Sequence, residues 1–212
     1  MKLHSFFNSS TSYRVRIALA LKGLEYEYLP LNIRIGVQSE EPFVSINPMK
    51  GVPVLEDGDF RLTQSMAILQ YLDEKYPEPR LLPADPKQKA QILSFCNIMA
   101  TDMHPVNNIK VLKYLTQELK IDEGEKKRWY QHWITQGFRA VEQKLKESYS
   151  GTYCFGDKVS LADVCLVPQY ANAQRMGCDL DEFVLCKKVF DYCLVLDAFK
   201  QADPKQQPDY IA

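Results

Sequence analysis

The 212-residue chain has no apolar run near the roughly 20 residues needed to span a bilayer. Its first residues, Met1-Lys2-Leu3-His4-Ser5-Phe6-Phe7-Asn8, lack the apolar stretch of a secretory signal. Membrane insertion and export are therefore not expected, and a cytoplasmic location is. An excess of charge is missing too: 26 basic against 27 acidic residues leave a formal charge of −1. That balance makes no electrostatic case for nucleic acid or an anionic membrane as partner. No C-x-x-C pair occurs, and the six cysteines, at 96, 154, 165, 178, 186 and 193, have no disulfide-framework spacing. Reduced, mostly buried thiols are the expectation. The three histidines, His4, His104 and His132, are far apart and share no ligand spacing, so no metal site is expected. Internal repeats and low-complexity tracts are absent as well.

The chain does hold four consecutive hydroxyl residues, Ser9-Ser10-Thr11-Ser12, directly before Tyr13-Arg14-Val15-Arg16-Ile17-Ala18-Leu19. Val15, Ala18, Leu19 and Lys22 follow the i, i+3, i+4, i+7 spacing of a helix face, and Gly23 suits the positive-φ position past the helix end. The hydroxyls then sit at a helix start, where free N–H donors and the positive end of the helix dipole meet. Such a run alone reads first as a cap. An anion or a thiolate would also be stabilised there.

Lys2 to Phe7 reads as a strand before this helix, and Glu25-Tyr26-Glu27-Tyr28-Leu29 as a second strand after it, so a βαβ unit with a parallel pair is expected. A weaker helix around 39–44 follows. Val52-Pro53-Val54-Leu55, Asp57-Gly58 and Phe60-Arg61-Leu62 read as a hairpin, and Thr63-Gln64-Ser65 as a polar start for a helix that Pro77 stops. The proline-rich stretch 77–86 reads as a linker, beyond which strand signals vanish. Helical patterns cover 87–107 (bent near Pro105), 123–148, 160–176 and 184–199. Ser160-Leu161-Ala162-Asp163 is a capping box with Val159 and Val164 as its staple, and Trp129 and Trp133 stand one turn apart as packing aromatics. The tail from Asp203 is expected to be loosely held.

An α/β domain of about 80 residues, a proline-rich linker and a helical domain resemble the layout of glutathione transferases. Ser9-Ser10-Thr11-Ser12-Tyr13-Arg14-Val15-Arg16-Ile17-Ala18-Leu19 is similar to the S-S-C-S-[W/H]-R-V-R-I-A-L signature of their zeta class, which includes the maleylacetoacetate isomerases. Asn47-Pro48-Met49-Lys50-Gly51-Val52-Pro53, Gln64-Ser65, Arg80-Leu81-Leu82-Pro83 and Ala162-Asp163-Val164-Cys165-Leu166-Val167-Pro168-Gln169 also resemble that class.

The resemblance implies a thioredoxin-like N-terminal domain over residues 1–80 and an all-helical C-terminal domain over 87–212, joined by a linker at 81–86. It implies reduced glutathione as cofactor and a homodimer. It assigns Val52, with a cis Pro53, to the cysteinyl unit, Gln64 and Ser65 to the γ-glutamyl end, and Gln38, His104 and Asn108 to further glutathione or substrate contacts. Thr11 stands where many members carry Cys, and Asn8 where related isomerases often carry Arg. Arg175 matches the Arg of the family's Asn-Ala-Glu-Arg stretch and becomes, with Arg14, the candidate for holding a substrate carboxylate.

A free thiol has a pKa of ~8.5, so making its thiolate dominant at pH 7 needs a lowering of about two units, or ~2.7 kcal/mol. Ser9 is the first choice for the hydroxyl that does this and Ser10 the second, with Thr11 in the same cluster. The function implied is glutathione-dependent cis–trans isomerisation of a maleyl keto acid, most simply maleylacetoacetate, by addition, bond rotation and elimination. The alternatives are maleylpyruvate as substrate, a general zeta-class transferase or dehalogenating enzyme, and a non-enzymatic interaction module.

Overall fold

The computed structural model describes residues 1–211. It forms two compact units, one of Met1–Leu81 together with the residues from Leu194 onward, the other of Leu82–Cys193. In the first unit, β1 (Lys2–Ser5), α1 (Ser10–Leu21) and β2 (Glu27–Pro30) form the expected βαβ unit. After a 3-10 turn at Val37–Ser39 and the one-turn α2 (Phe43–Ile46) come β3 (Val54–Asp57), β4 (Phe60–Thr63) and α3 (Ser65–Lys75). The sheet runs β2-β1-β3-β4. β1 pairs parallel with β2, while β1–β3 and β3–β4 are antiparallel. This is the thioredoxin-like arrangement. Asp57 pairs with Phe60, so the hairpin turns on Gly58-Asp59, one residue later than the Asp-Gly pair suggested. Leu3, Val54 and Leu55 from the sheet are buried, as are Ile17 and Leu19 of α1 and Ile68, Leu69 and Leu72 of α3.

α1 is less one-sided than its spacing implies, because Ser10 and every residue from Ser12 to Leu19 are buried. The cover comes from the C-terminus. α10 (Asp197–Ala202) packs along α1, and Gln207 is buried with its amide on Gln201 O (3.0 Å) and Asp203 O (2.9 Å). The tail is therefore fixed, not loose, and the chain from Leu194 onward groups with the first unit where the sequence reading had a continuous helical domain to 212. Proline and glutamine suggested an unstructured end; the buried Arg16, which donates from Nε to Ala202 O at 3.0 Å, holds it instead.

The second unit begins with α4 (Pro86–Asn97), which runs into a π-helical segment, Ile98–Met103, then α5 (His104–Val106) and α6 (Ile109–Gln117). The expected bend thus begins before Pro105. A Cβ on Gly137 of α7 (Glu123–Ser148) would lie 2.1 Å from Met103 Cγ, so any larger residue there would displace the Met103 side chain. α8 (Leu161–Arg175) and α9 (Val184–Leu194) follow, and Gly177 takes φ +64° just past α8, as its position suggested.

In the first turn of α8, the fully buried Asp163 accepts from Ser160 N (2.8 Å), Ser160 Oγ (2.9 Å) and Cys154 N (2.9 Å). Burial pushes its carboxyl up from the usual range, and these hydrogen bonds work against that. The carboxylate, more than the serine, holds this turn. Ser160→Ala is expected to cost ~1 kcal/mol and Asp163→Ala ~2–4 kcal/mol, since the latter leaves buried N–H groups unpaired. Both variants should keep their activity per folded molecule, which urea melts alongside active-site-normalised rates will check.

Among the described residues no helix is long and apolar enough to cross a membrane. Among the described residues all six cysteines are free, and no cluster of His, Cys, Asp and Glu suits a metal ion.

Candidate active site

In the first unit β1 ends at Ser5, and Phe6–Asn8 lead the chain into α1, with Ser9 N hydrogen-bonded to Phe6 O at 2.9 Å. Ser9 is the N-cap, with φ −83° and ψ 118°, and its Oγ accepts from Ser12 N at 3.2 Å. Thr11 Oγ1 lies 2.9 Å from Ser9 Oγ and donates to Val52 O at 2.9 Å. A hydroxyl has one proton, so with the Thr11 proton on Val52 O, Ser9 must be the donor to Thr11. The chain of bonds thus has one direction, Ser9 to Thr11 to Val52. Ser10 is buried, and its side chain makes no hydrogen bond among the described residues. The first turn of this 12-residue helix carries no acidic residue, so its positive end is not neutralised. Two hydroxyls therefore serve a helix start suited to an anion: one held in reserve against Thr11, one unengaged.

The Val52–Pro53 bond is cis. Because β3 starts at Val54, Val52 lies outside the sheet ladder, and its N–H carries no hydrogen bond among the described residues. Its carbonyl uses one lone pair on Thr11 and keeps the other. An extended backbone segment could pair with both groups, as the cysteinyl unit of a glutathione would.

Beyond β4, Gln64 has φ 70° and ψ 113°, a conformation costing about 1–3 kcal/mol for a residue with a side chain. Nothing in Thr63-Gln64-Ser65 announces it. It leaves the 11-residue α3 without a side-chain cap from Gln64, and a helix start of this kind suits a carboxylate. Ser65 Oγ accepts from Arg14 Nη1 at 3.4 Å. Arg14 is 0% exposed, which corrects the expectation that it faces a substrate carboxylate: its charge is enclosed behind Ser65. Near α2, Gln38 Oε1 is buried without a hydrogen-bond partner, an acceptor that a bound amide or ammonium would satisfy. Ser9, Ser10, Thr11, Val52, Pro53, Gln38, Gln64 and Ser65 therefore belong to one compact unit, and the open groups among them fit a tripeptide thiol with a free carboxylate.

His104, Asn108 and Arg175 belong to the second unit. Asn108 caps α6 by accepting from Lys110 N at 3.1 Å, and its Nδ2 lies 3.3 Å from His104 Nε2. Arg175 is exposed in the last turn of α8. Two residues not singled out in the sequence flank it. Tyr130 donates its hydroxyl to Asn172, and burial holds the phenol well above its ordinary pKa despite the nearby Arg175 charge. Their only sequence cue was the Asn172-Ala173-Gln174-Arg175 run itself.

Residues 1–74 match the family model for the glutathione S-transferase N-terminal domain. The maleylacetoacetate isomerase of Mus musculus is 44% identical over 209 residues, covering 98% of this chain and 94% of its own. Among solved structures, the holo form of a maleyl pyruvate isomerase, a bacterial zeta-class glutathione transferase, superposes with a TM-score of 0.97 at 42% identity, with full coverage of both chains. A maleylacetoacetate isomerase from Methylobacterium extorquens AM1, solved with malonate and glutathione bound, gives a TM-score of 0.94 at 34% identity, again with full coverage of both.

Proposed function

The chain belongs to the maleylacetoacetate isomerase family, the zeta class of the glutathione transferases, and is a glutathione-dependent enzyme of that type; from this premise we propose that it converts maleylacetoacetate to its trans isomer. The observation that carries the cofactor's placement is the open N–H and half-used carbonyl of Val52, linked through Thr11 to the hydroxyl at the start of α1. Bound there, glutathione supplies a thiolate able to add reversibly to a conjugated cis double bond. Val52 holds the cysteinyl backbone, and Gln64, Ser65 and the positive end of α3 hold the γ-glutamyl carboxylate, with Gln38 as a further acceptor. Ser9 turns its hydroxyl hydrogen bond from Thr11 to the thiolate sulfur while keeping its proton, Ser10 stands ready as a second donor, and the α1 dipole adds to both. The family likeness supports His104 and Asn108 as further ligand contacts and Arg175 as the cation for a substrate carboxylate. We further assign a cytoplasmic homodimer, for which the exposed Met49 and Phe60 of the first unit are apolar contact candidates.

Arg175→Ala tests the substrate class. A charge-assisted hydrogen bond is worth ~1.5–3 kcal/mol, so kcat/KM for the keto diacid should fall roughly ten- to more than a hundredfold, mainly through KM. Calorimetric affinity for glutathione should stay within about twofold. With Asn8 in place of a cation near the loop, the remaining arginine carries more of this task. Retained KM in the variant would remove Arg175 from the substrate site. Efficient conjugation of an uncharged electrophile by wild-type protein, with both maleyl acids left untouched, would favour the general-transferase reading.

A further inference from the structure

The C-terminal segment reaches the loop that presents Ser9. Asp209 Oδ2 accepts from the backbone N–H of Phe7 at 3.0 Å, and its Oδ1 accepts from the Tyr28 hydroxyl at 2.6 Å. The next residue, Tyr210, packs its ring edge-on against Phe7 with centroids 5.5 Å apart. On the carbonyl side of the same loop, the buried Arg16 donates from Nη1 to Phe6 O (3.3 Å) and from Nη2 to Phe7 O (3.0 Å). Arg16 also donates to Ala202 O, so it ties the loop and the C-terminal helix to one guanidinium. The peptide groups of Phe6 and Phe7 are thereby held from both faces, two residues before the N-cap. Ser9 N bonds to Phe6 O at 2.9 Å, so any movement of this loop moves the Ser9 hydroxyl.

A loop connecting a strand to a helix has no ladder of its own to fix it, and its backbone groups must find partners elsewhere. Here the N–H of Phe7 finds a carboxylate more than two hundred residues away in sequence. One carboxylate with an oxygen on Phe7 and the other on Tyr28 of β2 spans the loop and the sheet. We propose that Asp209 is a positioning residue for the thiolate site: it clamps the Phe7 amide to β2 and so sets where the Ser9 hydroxyl stands. It touches neither cofactor nor substrate. The inference rests on the glutathione reading for its functional consequence, while the clamp itself stands on the geometry alone.

The test compares three full-length variants. Asp209→Ala frees the loop. Asp209→Asn keeps an oxygen for Phe7 N–H and turns its NH2 toward the Tyr28 oxygen, so it should restore the clamp. Tyr28→Phe leaves Asp209 on the Phe7 amide and removes its bond to β2. Misplacing a reacting group by an ångström can cost about a hundredfold, and a partial loosening should cost about tenfold in kcat. Asp209→Ala is therefore expected to lower kcat about tenfold, with KM for the keto diacid within about twofold. It should also raise the pKa of the bound glutathione thiol and speed hydrogen exchange at the Ser9 and Ser12 amides. Asp209→Asn should remain near wild type in all four, and Tyr28→Phe, which cuts the tie to β2, should show the changes of Asp209→Ala in weaker form. A merely structural role would lower thermal stability and leave thiol pKa and kcat unchanged, which would overturn the proposal. If wild-type protein fails to bind glutathione, the functional reading falls on its own account. The exchange rates then decide the clamp, and unchanged protection at Ser9 and Ser12 in Asp209→Ala would refute it.

Discussion

Ser9→Ala is expected to lower kcat on the order of a hundredfold while glutathione still binds, the scale seen when one donor to a developing anion is removed. Binding should survive because the contacts proposed for the tripeptide, at Val52, Gln64, Ser65 and the start of α3, are not touched by the substitution. What is lost is the hydroxyl whose oxygen already accepts from Ser12 N and whose proton rests on Thr11 until an anion competes for it. The thiol must be lowered about two units from ~8.5 for the thiolate to dominate at neutral pH. Without the donor the bound thiol's pKa rises, so the acid limb of the rate profile should move to higher pH. Loss of the cap adds ~1 kcal/mol of instability, which Ser9→Thr should avoid while keeping a hydroxyl. Titration of thiolate absorbance in the enzyme–glutathione complex separates the candidates. An unshifted pKa in Ser9→Ala would transfer the role to Ser10, whose hydroxyl is otherwise unengaged.

Lys22→Met should be the most destabilising single change considered. The Lys22 side chain is 0% exposed and that of Asp73 4%, with 2.8 Å between Nζ and Oδ1. The ammonium also donates to Tyr76 O (2.7 Å) and Pro79 O (2.9 Å), so all three of its protons are placed. Asp73 Oδ1 accepts in addition from Leu81 N at 2.8 Å. The pair therefore binds the end of α1 to the end of α3 and to the chain that leaves the first unit. Removing the cation strands a buried carboxylate and two carbonyls, at a cost of about 3–5 kcal/mol. Lys22→Met with Asp73→Asn should recover part of that, because a neutral amide can still accept from Leu81 N. A single variant as stable as wild type in urea would show the pair to be dispensable.

The βαβ unit and the helix limits at Gly23 and Gly177 could be read locally, because caps, alternation and positive-φ glycines act over a few residues. The site was readable only in part. The hydroxyl run and Pro53 stand out in sequence, and the family likeness supplied Gln64-Ser65, Gln38, His104, Asn108 and Arg175. The backbone conformation of Gln64 has no residue-type cue, since any glycine there would have removed the side chain with the strain. Arg14 reads in the sequence as a candidate for a substrate carboxylate, and nothing local shows that it and Arg16 are buried. Arg16 is covered by α10, whose contacts with α1 span nearly the whole chain, and Arg14 meets Ser65 of α3, and neither contact leaves a local pattern. Asp209 escaped notice for the same reason: its partner, Phe7, lies at the other end of the sequence.

The most direct test follows maleylacetoacetate by proton NMR with wild-type protein and a small fraction of an equivalent of reduced glutathione. The olefinic signals should convert from cis to trans over many turnovers, with the glutathione recovered unchanged and no conversion in its absence. Consumption of glutathione in step with the acid, or a cis signal that persists, would contradict the isomerase account.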